Sequence, residues 1–282
     1  MILVTGAKGQ LGTDVVKELA RRGVPHKGVD IENFDITNKE SVFKAFQEYQ
    51  PDAVIHCAAY TAVDKAEDEP ELCRLINEEG TKNIAMACKS SDGPVPIDAK
   101  LIYISTDYVF EGISECFYKP DDPTNPISIY GKTKLAGEKA ILTLEKSFIV
   151  RISWVFGATG NNFVKTMLRL GQDRKEINVV CDQVGSPTYT ADLAPLLCEM
   201  AQSEKYGIYH ATNEGTCSWA EFAEEIFRQS GLDVKVNHIP ARDYPTKAAR
   251  PFNSRLDKSC LDEAGFGRLP EWKDALKRYL CI

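Results

Sequence analysis

The 282-residue chain has 43% hydrophobic and 27% charged residues, ordinary for a globular protein long enough to bury one large α/β domain or two unequal lobes. Its net charge of -7 and pI near 5.3 argue against nucleic acid or an anionic membrane as a partner, since both reward a basic surface. The nine cysteines (Cys57, Cys73, Cys88, Cys116, Cys181, Cys198, Cys217, Cys260 and Cys281) and four histidines show no metal-ligand spacing, so reduced thiols, no metal and a cytoplasmic location are expected.

The opening "MILVTG" reads as a buried strand, not as a charged leader before a long apolar stretch. No apolar run approaches about 20 residues, so neither a secretory leader nor a membrane span is expected. The strand runs into "TGAKGQLG", which places Gly6, Gly9 and Gly12 before a helix. In a dinucleotide site the first glycine permits the tight turn, the second lets backbone approach a pyrophosphate, and the third lets the helix pack close. Amides at the helix start would face the anion. A glycine-rich turn without a ligand is the alternative, and the flanking strand and helix weigh against it.

In "QLGTDVVKELARRG", Leu11, Val15 and Leu19 share one face, and Gly23 can end the helix. Asp30 follows the second strand, 18 residues beyond Gly12, where a carboxylate can bind the ribose hydroxyls of an adenosine. That favours NAD(H); Lys8 would offset the charge and allow NADP(H), and a plain loop aspartate is the alternative. Asp35 and Ile36 in "NFDIT" would flank the adenine, or Asp35 would serve a turn. "KESVFKAFQEYQ" reads as a helix and "DAVIHCAA" as a third strand, which leaves Ala58, Ala59 and Tyr60 where a cofactor would pass close to backbone. Cys57 and Cys181 are expected as small core residues.

"ELCRLINEEGTKNIAMACKSS" has helical spacing, and Ser90 to Ala99 reads as a loop. "KLIYISTDYVF" is a strand ending in Ser105, Thr106 and Asp107, at the end that faces the ligand crevice of a doubly wound sheet. Thr106 would hydrogen-bond a substrate carbonyl, or cap its own turn. After "KPDDPTNPIS", with Ser128 as N-cap, Tyr130 and Lys134 in "YGKTKLAGE" fall one helical turn apart. An ammonium beside a phenol would lower its pKa from about 10 and ease proton donation. Lys134 could also reach a nicotinamide ribose. The strand "SFIVRI" follows. Beyond about residue 158 helices such as "WAEFAEEIFRQSG" and "EWKDALKRYL" mix with short strands. The expected fold is α/β: a Rossmann-like, doubly wound parallel sheet over residues 1–158 with a smaller C-terminal lobe over 159–282, some of whose segments return to the sheet.

Together with "AAYTAVDKAE", "STDYVF", "RISWVFG", "GNNFVKTM", "DQVGSPT", "RPFNSRL" and "WKDALKRYL", these motifs give the chain a nearly end-to-end resemblance. It resembles the extended short-chain dehydrogenase/reductase superfamily, and within it the dTDP-4-dehydrorhamnose reductase family. The resemblance implies reduction by NADH or NADPH of the C4′ ketone of a dTDP-linked 6-deoxy sugar. Tyr130 would donate the proton, Lys134 hold the ribose and Thr106 bind the carbonyl oxygen. It further implies cofactor contacts at Gly9, Gln10, Leu11, Asp30, Asp35, Ile36, Ala58, Ala59 and Tyr60, and sugar contacts at Thr61, Val63, Asp107, Trp154 and Asn162. A core tryptophan is the alternative for Trp154. Arg250 would suit the diphosphate, with a helix-capping arginine as the alternative. A monomer or homodimer without a bridging metal is expected. A 4,6-dehydratase would want an acid-glutamate pair after the strand-end threonine, and the chain has Thr106-Asp107-Tyr108 instead. An epimerase, or a non-catalytic cofactor-binding subunit, remains open until turnover is tested.

Overall fold

Six parallel strands form the centre of the computed structural model, which describes residues 1–281. They are β1 (Ile2–Thr5), β2 (His26–Val29), β3 (Ala53–His56), β4 (Lys100–Thr106), β5 (Ser147–Ile152) and β6 (Gly207–His210), in the spatial order β6-β5-β4-β3-β1-β2. Every residue of β1, β3 and β5 is buried, as follows when helices cover both faces of a parallel sheet. The main helices are α1 (Gln10–Arg21), α2 (Lys39–Tyr49), α3 (Thr81–Cys88), α4 (Ile129–Ile141), α5 (Phe163–Asp173), α6 (Thr190–Gln202), α7 (Trp219–Ser230) and α8 (Trp272–Leu280); α1 to α4 and α6 cover the sheet, and α5, α7 and α8 pack together in the C-terminal half.

On one face Leu11, Val15 and Leu19 of α1 meet Leu193 and Leu197 of α6 above Phe148 and Val150. Burying each such side chain stabilises the fold by roughly 1.5–3 kcal/mol. On the other face Val42 and Phe46 of α2, Ile84 of α3 and Ile141 of α4 cover Leu3, Leu101 and Tyr103. β6 and α6 come from beyond residue 158, yet β6 pairs with β5 and α6 packs on α1. The rest of the C-terminal half has its own apolar cluster around Phe156, Phe222, Phe227, Trp272 and Leu276.

Two local expectations change. The helical stretch after residue 70 is interrupted: Pro70–Arg74 is α-helical, Leu75–Gly80 is a π-helical turn, and α3 follows. Inside that widened turn the buried Asn77 amide leaves its own helix, accepting the Tyr60 N–H at 2.8 Å and donating to the Tyr60 carbonyl at 3.1 Å. Cys57 and Cys181, expected in the core, are half-buried, because each lies just past the end of its strand. All nine cysteines are free. Among the described residues no helix is long and apolar enough to cross a membrane, and no group of three or more His, Cys, Asp or Glu is placed to hold a metal ion.

Candidate active site

The strand order reverses between β1 and β3, the position at which an open α/β sheet opens a crevice beyond its carboxyl ends. A cavity of about 990 Å³ lies there. Its walls come from the segments that follow β1 (Gly6, Gly9, Gln10, Leu11, Gly12), β2 (Asp30, Asp35, Ile36), β3 (Ala58, Ala59, Thr61, Val63), β4 (Thr106, Asp107) and β5 (Trp154). Tyr130 and Lys134 reach it from α4.

The glycine turn shows why it excludes other residues. Gly6 has φ +62°, and a Cβ there would sit 2.7 Å from the Ala58 nitrogen; a Cβ at Gly12 would sit 2.1 Å from the Gly6 carbonyl oxygen. The start of α1 has no side-chain cap, so its first N–H groups stay free beside the cavity. Free amides at a helix N-terminus over a glycine cradle fit a dinucleotide pyrophosphate. Gly12→Ala is therefore expected to cost roughly 1–3 kcal/mol by overpacking the turn. Titration of the variant with NADPH should show weakened binding, and unchanged affinity would mean that the turn can shift.

At the adenosine end, Asp30 accepts the Lys8 backbone N–H at 3.0 Å, while the Lys8 ammonium pairs with Glu32 at 2.7 Å. Glu32 is therefore the first partner of the Lys8 ammonium, and Asp30 acts on it more weakly through space. Asp35 both lines the cavity and caps its own turn, accepting the Thr37 N–H and hydroxyl at 2.8 Å each.

At the reacting end, Ser128 caps α4 by accepting the Gly131 N–H at 3.1 Å. This starts the helix so that Tyr130 and Lys134 share its inner face. The Tyr130 ring meets Tyr108 edge-on, with centroids 5.5 Å apart. Burial raises the phenol's pKa, as does the Asp107 carboxylate, and the Thr106 hydroxyl pulls the other way. The lowering expected from Lys134 is absent. Its Nζ donates to the Ile104 carbonyl at 2.7 Å and lies 4.0 Å from the centre of the Tyr103 ring. Burial pushes this ammonium down to about 7, against the pull of Glu138.

Thr106 donates its one hydroxyl proton to Asp107 Oδ1 at 2.9 Å and accepts the Tyr108 N–H at 3.2 Å. Asp107 is 3% exposed, and its Oδ2 has no hydrogen-bond partner among the described residues. Burial pushes this carboxyl up to about 6, opposed by the Ser254 and Thr106 hydroxyls. Trp154 holds φ +50°, a strained region for a bulky residue, and stacks on Trp219 with centroids 3.7 Å apart.

Three expected site residues do not line the cavity. Tyr60 turns its hydroxyl to Glu69 at 2.8 Å. Asn162 caps α5 through Lys165 N–H and donates to Gln10 and the Gly157 carbonyl, while the neighbouring Asn161 reaches the cavity. Arg250 makes a two-pronged pair with Asp64 at 3.0 and 2.6 Å, beside a Lys247–Asp68 pair. Sequence reading also passed over Ser153, Phe34, Leu72 and Ile76, all on the wall. The strand-end rule applied to β5 would have found Ser153; the apolar three carry no local signal. Equally invisible was the buried Glu138, which accepts Ser105 Oγ at 2.5 Å and grips Arg151 at 2.9 and 2.8 Å.

The family model described as the RmlD substrate binding domain matches residues 1–281. A dTDP-4-dehydrorhamnose reductase of Aggregatibacter actinomycetemcomitans is 41% identical, over 98% of this chain and 97% of its own. The crystal structure of a dTDP-4-dehydrorhamnose reductase from Clostridium acetobutylicum superposes with a TM-score of 0.95 at 44% identity, over 99% of this chain and 98% of that one. A dTDP-4-dehydrorhamnose reductase from Bacillus anthracis, solved in complex with NADP, gives a TM-score of 0.94 at 43% identity over the same shares, 99% and 98%.

Proposed function

The chain belongs to the RmlD substrate-binding-domain family, and from that premise we infer that it uses NAD(P)H to reduce the C4′ ketone of dTDP-4-dehydro-L-rhamnose to dTDP-L-rhamnose. The observation that carries this reading is one cavity onto which the glycine turn, Thr106, Tyr130 and Lys134 all open. Gly6, Gly9 and Gly12, with the uncapped start of α1, would hold the pyrophosphate, and Asp30 the adenosine ribose.

Bound NAD(P)H supplies the hydride. As the C4′ carbonyl carbon accepts it, the π electrons move onto oxygen, and Tyr130 gives that oxygen its phenolic proton. The raised pKa keeps the phenol in its acid form, which is the form a reduction consumes. Lys134, fastened to the Ile104 carbonyl, brings a positive charge to the cavity wall whenever it is protonated, and its value near 7 makes that charge easy to gain or lose near neutral pH. Thr61, Val63, Asp107 and Trp154 would face the sugar. Arg250 would serve a diphosphate only by exchanging Asp64 for phosphate oxygens, both of which it can grip with two parallel N–H groups. Residues 1–158 would carry the cofactor and most of 159–282 the sugar nucleotide.

The test is loss of nicotinamide absorbance with dTDP-4-dehydro-L-rhamnose, run separately with NADH and NADPH. Turnover with either is expected. Cofactor binding without any turnover would support a non-catalytic subunit instead.

A further inference from the structure

Thr106 can donate only once. A hydroxyl has one proton and two acceptor lone pairs, and here the proton goes to Asp107 Oδ1 while one lone pair takes the Tyr108 N–H. So arranged, Thr106 has no proton to offer a ketone oxygen, nor to the Tyr130 hydroxyl that lies within its reach. On the other side of the carboxyl, Oδ2 is buried with no partner among the described residues, although the residue lines the cavity. An ionised carboxylate with an orphaned buried oxygen is an expensive arrangement.

Resting on the reductase reading, we propose that Asp107 acts as a neutral carboxylic acid that positions Thr106: protonated, it donates to Thr106 Oγ1 and releases the threonine O–H to the C4′ carbonyl oxygen. With the proton on Asp107, both Thr106 lone pairs are filled, by Asp107 and by the Tyr108 N–H, so its own hydrogen is free to turn into the cavity. The ketone oxygen then meets two donors, Tyr130 and Thr106. With Asp107 ionised it meets one. Asp107 therefore acts through Thr106 as a positioning residue, and no bond to substrate is made or broken by it.

The groups around Asp107 suit this role. The hydroxyls of Thr106 and Ser254 and the N–H groups of Asp107 and Tyr108 face it, and the phenols of Tyr108 and Tyr130 feel its charge. The Arg250–Asp64 pair acts on Tyr108 in the same network. Burial outweighs the hydrogen bonds and places the acid's titration at about 6. A bound sugar would exclude further water and push in the same direction.

Two measurements test the proposal. Infrared difference spectra of wild type minus Asp107→Asn, taken without ligands, should show a carboxylic-acid band that vanishes with a midpoint near 6. A midpoint near the ordinary value of about 4 would overturn the proposal. In turnover, kcat/KM of the wild type should fall on the alkaline side of the same midpoint. Asp107→Asn keeps an N–H on Thr106 at every pH, so its ratio of rates above and below the midpoint should exceed that of the wild type by about tenfold. Thr106→Ser should retain the wild-type limb and Thr106→Val should lose it. A limb that persists unchanged in both Asp107→Asn and Thr106→Val would also overturn the proposal. If the wild type shows no turnover at all, the reductase reading fails, and the infrared midpoint still decides whether Asp107 is a neutral acid.

Discussion

Tyr130→Phe is expected to lower kcat by about 10²- to 10⁴-fold, the range that positioned proton donors contribute. The substitution removes one oxygen and keeps the ring, so the edge-on contact with Tyr108 survives and the fold should be unaffected. The loss should therefore appear in kcat with little change in the midpoint of thermal unfolding. The opposing effect to consider is hydride transfer with water as the acid. A phenol held at the cavity wall beats it because the proton donor is already in place, whereas water must first be ordered there. Rates equal to the wild type would remove Tyr130 from the mechanism.

The second large effect is on stability. Glu138 is 1% exposed and Arg151 3%, so neither charge can turn to water. Glu138→Gln leaves Arg151 with a carbonyl oxygen in place of a carboxylate, and breaking such a buried pair costs about 3–5 kcal/mol. Against a total stability of about 5–15 kcal/mol this is a large share, and it should be read as a lower urea midpoint at constant slope. The double variant Glu138→Gln/Arg151→Met should recover most of the loss, since both buried charges are then gone. A single variant as stable as the wild type would mean that the pair is solvated. The same contact reaches the chemistry, because Glu138 also holds Ser105, the residue before Thr106. Any surviving Glu138→Gln protein should show a lower kcat even when fully folded.

How much could be read in advance follows from the range of the interactions. β1, β3, β4 and β5, the turn at Gly6 and Gly12, and the pairing of Tyr130 with Lys134 on one helical face all depend on residues within a turn or a strand length of one another. Apolar periodicity, glycine spacing and a serine cap express such short-range physics directly in the order of residues. The π-helical turn at Leu75–Gly80 went unseen because what accompanies it, the bond from Asn77 to Tyr60, spans 17 residues.

The amino-acid order thus determined a doubly wound sheet, a dinucleotide turn and a phenol placed one helical turn from a lysine. Only the folded chain decided where the protons and charges go. It sent the Lys134 ammonium to Ile104, the Thr106 proton to Asp107 and Arg250 to Asp64, and it chose Asn161 over Asn162 for the cavity wall. Except for the neighbouring Thr106 and Asp107, these partners meet through the packing of separate elements. Burial then sets their pKa values, and no local spacing encodes how deeply a group is buried.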